Sequence, residues 1–130
     1  MTSQMIDAHN QIRHSSHLPH LYFSRRLQQA AQTHCNRMAK LNQLSHEENL
    51  SGRKTVGNRA HQAGYHYSAV GENIASGQTS VGEVMQGWMN SPGHRRNILN
   101  GTYRHIGAAI AQSANGTCFW CVVLGREMGR

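Results

Sequence analysis

Three side chains in this sequence have the chemistry for a shared site. Glu72 lies in the motif at residues 71–75, His94 lies in the motif at residues 88–99, and His46 stands apart from both. Neutral imidazoles bind zinc or copper at neutral pH, and a nearby carboxylate can complete the coordination shell or fix the tautomer of a ring. Both motifs are predicted to be short, turn-prone segments, where a rigid scaffold displays functional groups. These residues predict a metal-binding centre or a metal-assisted hydrolytic centre, with Glu72 as general base in the second case.

The two motifs resemble the signature of the CAP superfamily. Its SCP domains occur in cysteine-rich secretory proteins, venom antigens, plant pathogenesis-related class 1 proteins and many bacterial secreted proteins. The matching runs are Gly-Glu-Asn-Ile at 71–74 and Trp-Met-x-Ser-Pro-Gly-His-Arg-x-Asn-Ile-Leu at 88–99, and His9-Asn10-x-x-Arg13 matches an early motif of the family. The resemblance implies one α+β domain over residues 1–130, an α-β-α sandwich with a central, mostly antiparallel sheet between helix layers.

The resemblance also implies a set of site residues. In the family, two histidines and two acidic residues converge in a central cleft, and in some members the histidines hold a divalent metal. His46 and His94 match the two histidines, and Glu72 matches the first acid. The second acid is missing, because the position three residues after Trp88 is Ser91, which resembles many bacterial members. The expected cleft therefore contains His46, Glu72, Ser91 and His94, with zinc or another divalent metal bound weakly by His46 and His94.

Two classes of function follow from these residues. A binding module of the secreted type would hold a small ligand, a lipid or a peptide in the cleft, and it could also bind a protein partner. The alternative is a metal-dependent, peptidase-like hydrolase that uses Glu72 as its base. The sequence contains no His-Glu-x-x-His and no Gly-x-Ser-x-Gly motif, which favours binding over catalysis. A metal-free polar network that only holds the loops would use the same residues.

The charge balance adds a third candidate function. The chain has 13 Lys and Arg against 6 Asp and Glu, a net charge of +7 with His neutral. Anionic surfaces are therefore candidate partners. The pairs Arg25-Arg26 and Arg95-Arg96 are far apart in sequence, and no basic run is interleaved with aromatic residues. A specific nucleic-acid site is not expected, and the chain is expected to be a monomer or a weak dimer.

Export is expected from the resemblance and not from the residues. CAP proteins are typically secreted, so the resemblance implies an extracellular or cell-envelope location. The first residues, Met-Thr-Ser-Gln-Met, show no signal-peptide core, and no apolar run approaches the roughly 20 residues of a membrane span. We expect that a leader is missing from this sequence or that this member is unusual, and a cytoplasmic location stays open.

The three cysteines do not predict a disulfide framework. Cys118 and Cys121 fall in a predicted strand, where three steps of about 3.3 Å separate their alpha carbons by roughly 10 Å. A disulfide tolerates at most about 7 Å, so these two cannot pair with each other. Their side chains are expected on opposite faces of the strand. Cys35 lies in a predicted helix and could pair with at most one of them.

Hydrophobic periodicity and capping signals predict the elements that position the site. Ser24 caps a helix that ends near Leu41, and Ser80-x-x-Glu83 reads as a capping box, which gives Glu83 a structural explanation. Asn115-Gly116 predicts a hairpin turn. The other predicted helices span about residues 2–14, 56–63 and 92–99, and the predicted strands span 106–111 and 117–124, with a further strand within 65–76.

A second group of histidines and two tryptophans have simpler explanations. His14, His17 and His20 straddle a predicted helix end, so one shared face is not expected and any metal binding there would be adventitious. Trp88 and Trp120 lie on well-patterned apolar faces. They are predicted to be core residues and not ligand platforms.

Overall fold

Side-chain caps set where the helices of this protein begin. A computed structural model describes residues 1–129. Ser24 and Ser80 each accept a hydrogen bond from a backbone N–H three residues on, at 3.1 Å, and Thr55 and Asn58 form a reciprocal capping box. Such caps satisfy N–H groups that have no partner within the helix. Over these residues the helices are α1 (Thr2–Ser15), α2 (Arg25–Leu41), α3 (Val56–Gln62), α4 (Val81–Met89) and α5 (Pro92–Ile98).

Four strands form one mixed sheet in the order β1-β3-β4-β2. The strands are β1 (Tyr22–Phe23), β2 (Tyr67–Ser76), β3 (His105–Gln112) and β4 (Cys118–Glu127). β4 pairs antiparallel with β3 and β2, and β1 pairs parallel with β3. The predicted hairpin is confirmed, with Gly116 at the left-handed φ of 86°. β1 was not predicted, because a two-residue strand has no alternation to detect.

The strand predicted within residues 65–76 is confirmed as β2, so the expectation that residues 71–75 form a turn-prone segment is wrong. They lie inside β2, where Glu72 pairs with Val123 and Asn73 pairs with Val122 of β4. The long apolar strand β4 provides continuous backbone partners, and this pairing outweighs the weak strand propensity of Gly, Glu and Asn. Gly71 suits the strand because a Cβ there would collide with the hydroxyl of Tyr103.

Helices cover both faces of the sheet, as predicted. One core lies between the sheet and α1, α4 and α5, and the other lies between the sheet and α2 and α3. β4 serves both cores, since Trp120, Val122 and Leu124 enter the first while Phe119, Cys121 and Val123 enter the second. Cys118 packs against the first core, so the predicted opposite orientation of Cys118 and Cys121 is confirmed. Within residues 1–129, all three thiols are free.

The early His-Asn-x-x-Arg motif ties α1 to the core. Asn10 exchanges two hydrogen bonds with the backbone of Leu21, at 2.8 and 3.0 Å. The buried guanidinium of Arg13 donates to four backbone carbonyls, which belong to Pro19, Ile98, Asn100 and Tyr103. Arg13 therefore holds the C-terminal end of α5, the helix that carries His94. Every helix within residues 1–129 is too short or too polar to cross a bilayer.

His9 should make the fold sensitive to mild acid. Its ring is fully buried, Nδ1–H donates to the carbonyl of Met5 at 2.7 Å, and Nε2 has no partner. Burial lowers the pKa of His9 from 6.5 to about 4. Below pH 6.5 His9 becomes protonated in the unfolded chain but stays neutral in the folded chain. The free energy of unfolding therefore falls as the pH drops toward 4. We expect this group to remove about 2–3 kcal/mol of the free energy of unfolding by about pH 4.5.

The variant His9→Phe should lose much of that decline. Phenylalanine fills a similar space beside Trp88 and does not titrate. Urea unfolding at neutral pH and near pH 4.5 measures the difference, and His14→Gln, on the exposed side of the same helix, serves as the control. An unchanged pH dependence in His9→Phe would show that another group controls acid stability.

Candidate functional site

The edge strand β2 sends two neighbouring polar side chains to opposite faces of the sheet. Glu72 lies opposite Val123, whose side chain enters the core beneath α2 and α3, and Asn73 lies opposite Val122, which faces α1, α4 and α5. Directly opposed residues of antiparallel strands share a face. Consecutive residues of β2 therefore fix the loop before α3 on one face and helix α5 on the other.

The carboxylate of Glu72 is fully engaged inside the protein. Its side chain is 2% exposed. Oε2 accepts from Nη2 of Arg59 at 2.8 Å and from the thiol of Cys121 at 3.6 Å, and Oε1 accepts from Nδ1–H of His46 at 3.0 Å. Burial acts to raise the pKa of Glu72, but the hydrogen bond from His46 and the charge of Arg59 outweigh it, so the pKa is lowered. Glu72 is therefore a buried anion.

Arg59 connects Glu72 to the loop between α2 and α3. Its Nη1 donates to the carbonyls of Arg53 and Lys54, at 3.2 and 3.0 Å, and its Nη2 also donates to the carbonyl of His46 at 3.0 Å. The guanidinium of Arg59 thus bonds to Glu72 in β2 and to three backbone carbonyls of the loop. These bonds fix the position of His46 in that loop. Arg59 is itself buried, and the carboxylates around it compensate the cost of removing its positive charge from water.

A second buried carboxylate anchors the same loop. Glu48 accepts from Nδ1–H of His34 at 2.7 Å and from Nε and Nη2 of Arg53 at 3.1 and 3.2 Å. The other nitrogen of His34 faces the carbonyl of Ser45 at 2.7 Å, and a carbonyl can only accept. Both ring nitrogens of His34 therefore face acceptor atoms of the loop. Burial alone would raise the pKa of Glu48, but the hydrogen bonds from His34 and Arg53 lower it.

His46 presents an unoccupied nitrogen to solvent. Its side chain is 57% exposed, and Nδ1–H points at Glu72. Since Nδ1 holds the proton in the neutral ring, Nε2 is left with a lone pair for a ligand. The hydrogen bond to the Glu72 carboxylate raises the pKa of His46 above its ordinary value.

His94 comes from the opposite face of the sheet. Nδ2 of Asn73 donates to the carbonyl of His94 at 3.1 Å, and Asn97 donates to Oδ1 of Asn73 at 2.9 Å. Nδ1 of His94 is hydrogen-bonded to the hydroxyl of Ser91 at 2.9 Å, so Ser91 orients the ring and makes no cap hydrogen bond to α5. Burial and, secondarily, the charge of His46 lower the pKa of His94.

An apolar groove of about 250 Å³ adjoins His94. Its floor contains Ile74 and Trp88, and Leu44 of the loop forms one wall. Trp88 stacks on the ring of His94 with centroids 6.3 Å apart, and its Nε1–H donates to the carbonyl of Ile74 at 3.1 Å. A ligand here would meet an imidazole and a hydroxyl at one end and apolar surface at the other.

A larger cavity of about 380 Å³ lies on the other side of the same loop. Gln43, Ser45 and Glu47 line it, whereas Leu44 lines the groove and His46 points at Glu72. The lining of the larger cavity mixes positive and negative charges and is more polar than the lining of the groove. The groove beside His94 is therefore the better candidate for the functional cleft.

The structure brings the sequence-predicted residues to one region. His46 contacts Glu72, and Ser91 contacts His94. Glu83 is exposed at the start of α4, where its backbone N–H donates to Ser80, but its side chain does not complete the predicted capping box. In the part of the chain that the structure describes, no three His, Cys, Asp or Glu side chains are arranged to hold a metal ion. His14, His17 and His20 are among the residues that do not form such a group.

Sequence reasoning missed the residues that support the site. These are Arg59, Glu48 and His34, which support the loop, and the hydrogen-bonded pair of Asn73 in β2 and Asn97 in α5. His34 carried one signal, because it lies on the apolar stripe of α2 among Leu27, Ala31 and Cys35, where a polar side chain must find a partner. Asn73 and Asn97 lie within the two motifs that resemble the family signature, although no role was assigned to them. Arg59 and Glu48 carried no signal, since their partners lie on distant segments.

Comparison with known proteins gives a consistent result. The model of the cysteine-rich secretory protein family, CAP, matches residues 6–124. The uncharacterized protein YkwD of Bacillus subtilis (strain 168) is 50% identical over 52 residues, which cover 40% of this chain and 20% of that protein. An extracellular protein from Bacillus anthracis that contains an SCP domain has a TM-score of 0.85 at 28% identity, covering 97% of this chain and 40% of that one.

A third similar protein supports the fold alone. An outer surface protein of Borrelia burgdorferi has a TM-score of 0.88 at 20% identity, covering 97% of this chain and 92% of that one. The curated relatives are much longer than this chain, since the matched segments make up only 20% and 30% of their lengths. The similarity therefore concerns one domain of those relatives.

Proposed function

Because the chain belongs to the CAP family of cysteine-rich secretory proteins, we propose that it is a binding module whose cleft lies between His46 and His94. The cleft takes a small ligand, a lipid or a peptide segment, with an apolar part in the groove of Leu44, Ile74 and Trp88. The imidazoles at its rim recognise a polar group of the ligand or a weakly held divalent metal.

The observation that carries this proposal is the engagement of Glu72. A general base needs an accessible lone pair within reach of the proton that it removes. Here both carboxylate oxygens face donors from Arg59, His46 and Cys121, and the side chain is 2% exposed. This arrangement supports a positioning role, in which Glu72 holds the ring of His46 with Nε2 outward. It disfavours the hydrolase alternative.

The donor set fits a weak metal site. Two neutral imidazoles suit zinc or copper, whereas a structural zinc site normally has four protein ligands. His46 and His94 would hold the ion, and Glu72 and Ser91 would orient the two rings through their Nδ1 atoms. A bound ion would supply a Lewis-acidic point for an anionic or carbonyl group of the ligand. An NaASP2 structure described as containing Zn2+ shares the fold, with a TM-score of 0.65 at 10% identity.

An extracellular or cell-envelope location suits this function. The Bacillus anthracis relative is described as extracellular, and the Borrelia burgdorferi protein is described as an outer surface protein. We propose the same for this chain. Two of its three free thiols, Cys35 and Cys121, are buried, which is compatible with that location. Burial raises the pKa of Cys35 to about 12, which keeps it in the unreactive thiol form.

Zinc calorimetry at neutral pH tests the proposed site. We expect weak binding by the wild type and a loss of at least about tenfold in affinity in His46→Ala/His94→Ala, because two of the protein ligands are removed. The triple variant His14→Ala/His17→Ala/His20→Ala controls for adventitious binding by other imidazoles and should bind as the wild type does. Loss of binding in the triple variant alone would place the metal at that second group.

The hydrolase alternative predicts catalytic turnover that depends on Glu72. Peptide or ester turnover that is present in the wild type and absent in Glu72→Gln would contradict the binding proposal. Because Glu72 is a buried partner of Arg59, the fold of Glu72→Gln must be verified by circular dichroism before its activity is compared.

A further inference from the structure

At one end of the sandwich, strands β1, β2 and β3 begin and strand β4 ends. In the sheet register, His105 at the start of β3 lies beside Tyr22 of β1 and beside Gly125 near the end of β4. Tyr67 at the start of β2 lies beside Glu127. The backbone N–H of Met128 donates to the carbonyl of His66 at 2.8 Å, which extends the contact between these two segments beyond the paired strands.

Four arginines lie at this end, and we refer to Arg25, Arg26, Arg104 and Arg126 as the basic end. α2 starts here because the N–H of Ser24 donates to the carbonyl of Ile106 at 3.0 Å, so Arg25 and Arg26 project from its first turn. The N–H of Arg104 donates to the carbonyl of Gly125 at 2.8 Å, which places it beside Arg126 in β4. Arg25, Arg26 and Arg126 are exposed, and Arg104 is partly exposed.

The charge of the basic end is not neutralised within the described part of the chain. Over residues 1–129, no carboxylate lies within 4.0 Å of these arginine nitrogens. Of the six acidic residues, only Glu127 belongs to the segments that meet here. Two arginines in the first turn of α2 also oppose the helix dipole. An anionic partner would reduce both the repulsion among the arginines and the unfavourable interaction of Arg25 and Arg26 with the helix dipole.

Exposed apolar side chains lie among these arginines. Tyr22 is 66% exposed, Phe23 is 53% exposed and Met128 is 57% exposed. Tyr22 and Phe23 form the short edge strand β1, which only Ser24 separates from Arg25, and Met128 follows Arg126 by two residues. Exposed apolar groups that cluster among basic residues are typical of surfaces that dock on lipid headgroups.

We propose that the basic end docks on the surface of an anionic phospholipid bilayer. The arginines contact lipid phosphates, and Tyr22, Phe23 and Met128 enter the boundary between headgroups and acyl chains. A soluble polyanion would neutralise the arginines but would leave the three apolar side chains in water, so the combination favours a bilayer. The cleft of His46 and His94 lies elsewhere, at the middle of β2, and stays accessible in this orientation.

Vesicle flotation with two matched arginine pairs tests this surface. The vesicles are phosphatidylcholine alone, or phosphatidylcholine with about one third phosphatidylglycerol. Arg25→Gln/Arg26→Gln and Arg95→Gln/Arg96→Gln each remove two positive charges, but only the first pair belongs to the basic end. We expect about a thirtyfold loss of partitioning onto the anionic vesicles for the first variant and a loss of about threefold or less for the second. Equal losses would show that only net charge matters and would overturn the proposal.

A second variant separates a bilayer from a polyanion. Tyr22→Ser/Phe23→Ser changes no charge, and both side chains are already more than half exposed, so the fold should be retained. We expect it to weaken binding to anionic vesicles at least about threefold and to leave binding to inorganic polyphosphate unchanged. Vesicle binding that is insensitive to this variant, or absent in the wild type, would refute the docking surface.

Discussion

Replacement of Arg59 by methionine is expected to reduce the free energy of unfolding by about 3–5 kcal/mol. Methionine fills much of the space but removes the buried cationic partner of the Glu72 carboxylate and three donations to loop carbonyls, and the remaining imidazole partner, His46, is 57% exposed. An uncompensated buried charge is among the most destabilising changes in a protein interior. Urea unfolding at neutral pH, followed by circular dichroism, measures the loss.

Arg53→Met provides the matched control for that prediction. Arg53 also pairs with a buried carboxylate, since it donates to both oxygens of Glu48. Its own side chain is 23% exposed, and Glu48 keeps His34 as a second partner. The expected loss is therefore about 1 kcal/mol. If the two variants were equally stable, Arg59 would not be the central partner of the buried network.

Most of the fold could be predicted because its signals are local. The Ser24 and Ser80 caps mark helix starts, and the apolar stripe of α4 requires only one face of one helix. The alternation around Asn115-Gly116 identifies the hairpin in the same way. Each of these signals depends on residues within about one turn or one strand length of each other. β1 is the exception, since its parallel partner in β3 is about 80 residues away in sequence.

The buried charges beneath the site could not be predicted, because burial of a charge depends on partners from elsewhere in the chain. Arg59 lies in a polar stretch of α3 and would normally be a solvated side chain. It becomes buried only because Glu72 arrives from β2 and Glu48 arrives from the loop. The family resemblance identified Glu72 and His46 but gave no reason for their pairing. The geometry supplies that reason, because Glu72 orients His46 and needs Arg59 to remain ionised.

The network also explains how an exposed histidine can be held in place. His46 lies in a loop, where side chains usually sample several rotamers. Its ring nitrogen is fixed by Glu72 and its carbonyl is fixed by Arg59, so both ends of the residue are anchored to buried groups. His94 is anchored through Ser91 and Asn73 in the same manner. Rigid placement of this kind reduces the entropy that a ligand must overcome on binding.

Zinc affinity is expected to fall in two separate steps as the pH is lowered. A protonated imidazole cannot bind a metal, so each ring must lose its proton first. The pKa of His46 is raised above 6.5 by its hydrogen bond to Glu72, whereas the pKa of His94 is lowered below 6.5 by burial and by the charge of His46. The affinity should therefore decrease about tenfold per pH unit between the two pKa values and about a hundredfold per unit below both.

Variants that lack one histidine show which ring causes each of the two pH-dependent steps in zinc affinity. Calorimetry across the range from about pH 5 to pH 8 should show that His94→Ala binds more weakly and retains only the step above pH 6.5. In His46→Ala the upper step should disappear, and the remaining step should move upward, because the charge of His46 no longer lowers the pKa of His94. A single step at 6.5 that both variants retain would mean that unperturbed imidazoles elsewhere bind the metal. Two steps that respond separately would show that the edge of β2 brings His46 and His94 together as one site.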